Sequence, residues 1–327
     1  MNTHKKSIFF TKFENKRKIK TILIGDNIFK IITATIASSI ILIIGLMFYE
    51  LYLGSWLSIN KFGLGFIIGT IWDPVKGIFG ALPLILGTLF TSAIAILISF
   101  PISLGIALAL SEYMPKQLSN FFFFFVELLA AIPSVIYGLW GIYVLIPFLR
   151  EVIYPFIQSN FGFIPLFSGP IYGGGFLTAS ILLAIMLIPI MSTIMREIFI
   201  LVPSALKEAA ISLGATKWEV ISVMISYARL GIIGAIMLGL GRAIGEAMAV
   251  SMVIGNKFQL LPSSLFDAWY TMAAILANEF IEAINPLHIS ALINVGLLLL
   301  VINLIVAIIA RIIVRYHLRI IGGIMRE

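Results

Sequence analysis

Uncharged runs cut the chain into blocks longer than a soluble core helix needs. Residues 31–49 carry no charge between Lys30 and Glu50 and predict one bilayer span. Residues 77–111 are also uncharged. They predict a helix over 82–111, entered after Gly80, with Pro101 as a kink site. A third span is expected over 121–148, with Glu127 interrupting it. Residues 152–195 are uncharged again, but Gly162, Pro165, Gly169, Pro170 and Gly173 to Gly175 break the first half into a loop. That leaves a span over 175–196. A fifth is expected over 230–254 and a sixth over 288–310.

The pattern predicts an all-α polytopic membrane protein with six transmembrane helices. Its parts are a basic segment over 1–30, the first span within 31–53, an outer loop over 54–80, a core over 81–316 and a tail over 317–327. Composition agrees. Of 327 residues, 61% are hydrophobic and 11% charged, whereas soluble domains are about half apolar and about a quarter charged. That excludes an ordinary soluble enzyme, and it excludes disorder, which needs few apolar residues.

The net charge of +7 reads as topology rather than as a nucleic-acid surface. With the N-terminus inside, the Lys and Arg residues fall on the inner side, apart from Lys61, Lys76, Arg150 and Lys257 outside and Arg242 within a span. Basic residues collect in cytoplasmic loops, so both termini are expected in the cytoplasm. The long basic N-terminal region has no small-residue cleavage motif after its apolar run and does not read as a cleavable signal. There is no Cys, hence no disulfide framework or thiol nucleophile. His4, His288 and His317 lie far apart in sequence and do not suggest a metal site. Catalytic residues are not expected.

Chemistry concentrates in two places. The loop 202–219, between spans four and five, has Pro203 and Ser204 as a helix start and Gly214 as a C-terminal cap. Val202, Leu206, Ala209, Ala210 and Leu213 share one face at helical spacing. From periodicity alone, a docking helix and a connector lying on the bilayer surface are equally open. The second place is the fifth span. Arg242 and Glu246 stand one helical turn apart, and each in-span charge costs roughly 2.5–3.5 kcal/mol on insertion scales. They predict either a pathway site or a structural ion pair that locks two helices. Glu127 is the third pathway candidate. Gly239, Gly241 and Gly245 lack the spacing of a nucleotide loop and fit close helix packing. Phe121 to Phe125 predict a lipid-facing or interfacial belt, and 265–284 an interfacial helix.

Glu208-Ala209-Ala210, then Gly214, Ala215 and Trp218, resemble the EAA loop of binding-protein-dependent ABC importer permeases. The resemblance implies that Lys207, Glu208, Ala209, Ala210, Leu213 and Gly214 belong to a helix that docks on an ATPase. Further stretches are similar to the phosphate importer permeases: Trp72-Asp73-Pro74-Val75, Phe79 to Pro83, Ile132 to Gly141, Gly234 to Val250, and Asn278-Glu279-Phe280 with Leu287-His288. The 132–141 and 241–250 segments are closer to the PstC branch than to the PstA branch. The resemblance covers about residues 60–316. It implies a type I ABC importer permease in a bacterial cytoplasmic (inner) membrane, passing phosphate along Arg242, Glu246 and Glu127. The implied partners are a PstA-like second permease, two PstB-like ATPase subunits, a PstS-like external phosphate-binding protein and membrane lipid. No cofactor is expected on this chain, with ATP and Mg2+ held by the ATPases. Rival readings are a permease for molybdate or sulfate, a secondary transporter with Glu246 or Glu127 as proton site, and an intramembrane enzyme.

Overall fold

The computed structural model describes the backbone of residues 3–324 and the side chains of residues 29–312. It divides into two compact units, Met1–Leu53 and Gly54–Glu327. Among the described residues, six helical stretches are long and apolar enough to cross a membrane: Phe29–Phe62, Leu82–Tyr113, Ser134–Phe161, Phe176–Ile200, Lys217–Gly245 and Pro286–Ile312.

The first unit is the greater part of α1 (Thr3–Phe62). Between Lys30 and Glu50 it is apolar all round, and side chains such as Ile41 stand 73% exposed. A helix hydrophobic on every face suits lipid rather than water.

The second unit is built on α5 (Phe176–Ile200), which packs against α2 (Leu82–Tyr113), α3 (Lys116–Ala131) and α7 (Lys217–Gly245). Small residues make this possible. Ala95, Ser99, Ser103 and Ala107 recur every fourth position of α2 and are fully buried, so the backbones can approach closely. Pro189 takes one N–H out of the α5 ladder, and hydroxyls gather at that break. Ser103 of α2 donates to the Ile188 carbonyl at 3.2 Å, and Thr193 donates to that of Pro189 at 2.8 Å.

The expected third span over 121–148 is instead two helices. Pro133 ends α3, because the residue before proline is pushed out of the helical region; Ile132 is extended, with ψ 129°. The membrane-length helix is α4 (Ser134–Phe161), so Arg150 and Glu151 are helical. Tyr137 donates to the Leu129 carbonyl across the corner at 2.8 Å. π-helical turns occupy Gly141–Leu145 and Leu149–Ile153 of α4 and Ala109–Tyr113 at the end of α2. The fifth span also differs from 230–254. It is α7, it starts at Lys217, and it ends at Gly245. Residues 246 and 247 break the helix before α8 (Met248–Val253). Its charged first turns, with Lys217, Glu219 and Arg229, masked that early start.

The N-terminus of α5 has an unusual cap. Gly175, Phe176 and Leu177 donate their N–H groups to the carbonyls of Val253, Asp267 and Leu265 at 2.9–3.0 Å. A helix start leaves such donors orphaned, and here a distant segment satisfies them. That segment carries Phe266, Trp269 and Tyr270 into the core, so the interfacial helix expected over 265–284 reduces to α9 (Met272–Glu279). Burial pushes the Tyr270 hydroxyl up to about 12. A hairpin of β1 (Trp72–Asp73) and β2 (Ile78–Phe79) closes the same end. Trp72 Nε1 donates to Glu279 at 2.9 Å, His288 of α10 (Pro286–Ile324) contacts the same carboxylate oxygen at 3.1 Å, and Phe79 stacks on the His288 ring. Within the turn, the Lys76 and Val75 N–H groups hold the Asp73 carboxyl below its ordinary value.

Gly87 marks where α2 meets this cap. A Cβ there would lie 2.1 Å from the Tyr270 carbonyl oxygen, and backbone cannot yield as a flexible side chain does. Gly87→Ala should therefore lower stability by about 1–3 kcal/mol, read as earlier thermal unfolding in detergent. Unchanged unfolding would show that the cap can retreat from α2.

Candidate functional site

The loop after α5 folds as α6 (Ser204–Ser212), entered through Pro203. Its end is a Schellman motif. Ala215 N–H bonds to the Ala210 carbonyl at 3.1 Å and Gly214 N–H to that of Ile211 at 2.9 Å, with Gly214 at φ +83°. Thr216 then opens α7 with a reciprocal capping box. Its hydroxyl accepts from the Glu219 N–H, and the Glu219 carboxylate accepts from the Thr216 N–H at 2.7 Å. Two helix ends thus fix a sharp corner. Glu208, Ala209, Leu213 and Gly214 are exposed on it, Leu213 by 90%, with Trp218 beside them at 70%. Lys207 and Ala210 are half-buried instead. The single apolar face read from the sequence is therefore divided: Val202 is buried and Leu206 half-buried, whereas Ala209 and Leu213 point to solvent.

Two residues that sequence reasoning passed over hold the inner side of this corner. Lys207 Nζ pairs with the Glu112 carboxylate of α2. Arg196, near the end of α5, is only 8% exposed. It donates to Glu197 at 2.7 Å and lies 3.9 Å over the Phe123 ring. Four rings of the phenylalanine run are exposed, while half-buried Phe123 serves as a cation–π face. Arg196 and Glu112 stood out in the sequence only as charges flanking spans.

The structure separates Arg242 from Glu246. Arg242 lies in the last turn of α7, is exposed, and comes within Coulombic reach of Tyr137 on α4. Glu246 lies beyond the helix end, with ψ 115°, so the expected one-turn spacing on a shared face does not hold. Its Oε1 accepts from the Ala249 N–H at 3.3 Å, which caps α8. It also lines a small cavity with Thr88, Thr91, Ser92 and Thr271, where the buried Thr91 and Ser92 hydroxyls have no partner among the described residues. Among the described residues, no ion pair within 4 Å joins Arg242, Glu246 or Glu127 to any group. Glu127 is exposed on α3.

Residues 101–316 match the family described as "Binding-protein-dependent transport system inner membrane component". The chain is 46% identical over 294 residues to the phosphate transport system permease protein PstC of Haemophilus influenzae, covering 88% of this chain and 93% of that one. It is 45% identical to the protein of the same name from Mesorhizobium japonicum, covering 90% and 91%. A probable PstC from Methanocaldococcus jannaschii is 38% identical, covering 89% and 94%. Among solved structures, the fold is similar to a chain of the inward-facing MetNI methionine ABC transporter. The TM-score is 0.53 at 18% identity, over 75% of this chain and 99% of that one.

The capping box supplies a local check on the corner. Thr216→Ala should cost about 1 kcal/mol of helix stability. Hydrogen exchange should then quicken at the Trp218 and Glu219 amides. Unchanged protection there would show that packing on α7, rather than the cap, orders the turn.

Proposed function

The chain belongs to the binding-protein-dependent transport system inner membrane component family, and on that footing we propose that it is the permease subunit of an ATP-driven inorganic phosphate importer, contributing half of the translocation path. The carrying observation is likeness at 44–46% identity, over nearly the full length of both partners, to permeases named for phosphate transport. The protein is a multi-pass membrane protein, and permeases of this kind work with ATPase and binding-protein partners. For the finer assembly we infer a PstA-like second permease, two PstB-like ATPases and a PstS-like phosphate-binding protein. Hydrolysis of ATP, with its Mg2+, belongs to the ATPases, and this chain acts without catalysis. We infer a bacterial cytoplasmic membrane with both termini inside, which presents α6 to the cytoplasm.

The exposed outer side of the corner, Glu208, Ala209, Leu213 and Gly214 with Trp218, is then the docking surface for an ATPase. Lys207 and Ala210 support it from beneath. In the membrane, Arg242 is a full charge on the outer surface of this single chain. Lipid would make it costly, so a water-lined path or the second permease must meet it. A guanidinium offers paired, charge-assisted donors that suit the oxygens of phosphate. Glu246 is held by the α8 N–H, which leaves Arg242 without a carboxylate among the described residues. Glu246 and Glu127 are then the acidic groups that tune passage of the anion. Uphill transport needs an energy source that shifts the population of the end states, and ATP binding on the docked subunits, which favours one of them, would supply it.

Arg242→Gln should reduce uptake of labelled phosphate by more than about tenfold, the scale of one lost charge-assisted interaction, while the purified complex keeps all its subunits. Normal uptake by that variant would remove Arg242 from the path. Glu208→Arg should instead shed the ATPase subunits. If cells lacking every other high-affinity phosphate importer take up molybdate or sulfate but not phosphate through the intact complex, the substrate assignment is wrong.

A further inference from the structure

Glu112 is assigned no role by the comparisons or by the motif of the loop, yet it is the partner of Lys207. The pair has structural features beyond those of a surface ion pair. Its side chains are only 24% and 19% exposed, so each charge has given up much of its water and depends on the other. It crosses a gap. α6 rests along α7, and two cavities flank the place where Lys207 reaches the end of α2. One, of about 430 Å³, is lined by Glu112, Tyr113, Lys207, Ile211, Lys217 and Val220. The other, of about 320 Å³, is lined by Glu112, Lys116, Asn120, Arg196, Ile200 and Lys207. Glu112 and Lys207 line both, so their ion pair spans the gap where side-chain packing is thin.

The α2 end of the pair is also distinctive. Glu112 sits in the π-helical turn Ala109–Tyr113, and Ser119 at the start of α3 donates to the Leu110 carbonyl in the same turn. π turns mark places where a helix carries an extra residue and often serve function. From there α2 runs along α5 and reaches the cavity of Thr88, Thr91, Ser92 and Glu246. The other charged residues lining the two cavities are Lys116, Arg196 and Lys217, all cationic, and Glu112 is the carboxylate that pairs with Lys207 there.

We propose that the Glu112–Lys207 ion pair is the tether that carries movement of the docking helix α6 into α2, and so into the translocation path. Glu112 and Lys207 are positioning residues: neither touches the ATPase or the anion through this bond. α6 and α7 are continuous through a rigid corner, but α2 is joined to α6 across a gap. A displacement of α6 by the ATPases reaches α2 only as well as that bond transmits it. This rests on the importer reading above.

The test uses the whole importer in vesicles, with its second permease, ATPases and binding protein. Two quantities are measured: phosphate moved per ATP hydrolysed, and ATPase subunits retained per permease. Glu112→Gln should keep its ATPases and still hydrolyse ATP, while phosphate moved per ATP falls at least about fivefold, the scale of a typical coupling between sites; Lys207→Gln should lower that ratio as far, counted per ATPase subunit retained. The reversed pair, Glu112→Lys with Lys207→Glu, should restore most of it. The tether is overturned if either single variant keeps the wild-type ratio, if the reversed pair fares no better than the singles, or if transport falls only in step with lost ATPase subunits. Should the wild-type complex hydrolyse ATP but move no phosphate, the substrate reading fails by itself. The pair is then judged by the stimulation of ATP hydrolysis by the natively loaded binding protein, which the single variants should lose and the reversed pair regain.

Discussion

The Gly54–Glu327 unit depends on one constraint: α2 and α5 must lie close enough for their backbones to meet while the backbone groups freed at the Pro189 break still find partners. Inside a bilayer no water stands by to repair a missing hydrogen bond. Ala95, Ser99, Ser103 and Ala107 provide the closeness, and the Ser103 hydroxyl serves twice, being small enough to pack and polar enough to bond α5 beside Pro189. The remaining helices follow. α7 and α3 cover α5, and the cap from Val253 to Tyr270 folds onto the end that α2 and α5 share.

Several of the charges at issue stand at or near a break in the helices. Arg242 is in the last turn of α7, Glu246 in the break after it, Glu112 in the π turn that ends α2, and Lys207 on the short helix between two long ones. A helix interior offers a side chain one row of neighbours. A helix end offers a change of direction and unsatisfied backbone groups as well. Glu246 uses both, turning away from Arg242 to bond the α8 N–H. The same sequence spacing inside a continuous helix would have paired the two residues and neutralised the arginine.

Much of this was legible in advance. The number of spans followed from uncharged runs, because the bilayer filters composition more strictly than a soluble core does. The α6 corner was legible from Pro203, Ser204 and Gly214, whose roles are local. What escaped had non-local or competing causes. Pro133 stood inside an apolar run that reads as one span, and hydropathy outvoted the proline. Gly245 ended α7 without a strong stop signal, so Arg242 and Glu246 were placed on one face. Glu112 lies 95 positions from Lys207, and no periodicity links them. Trp269 and Tyr270 read as interfacial because aromatic residues favour membrane surfaces, whereas their segment is drawn into the core by the open end of α5.

That open end has a consequence for biosynthesis. The donors at Gly175, Phe176 and Leu177 wait for acceptors at Val253, Leu265 and Asp267, which leave the ribosome about eighty to ninety residues later. At roughly 5–20 residues per second, α5 spends several seconds in the translocon or bilayer with its first turn uncapped. During that interval α3 and α2 can already pack, but the helix at the centre of the unit cannot lock. The order of synthesis therefore runs opposite to the order of burial, and the native arrangement of the early helices is sealed only when the late segment arrives.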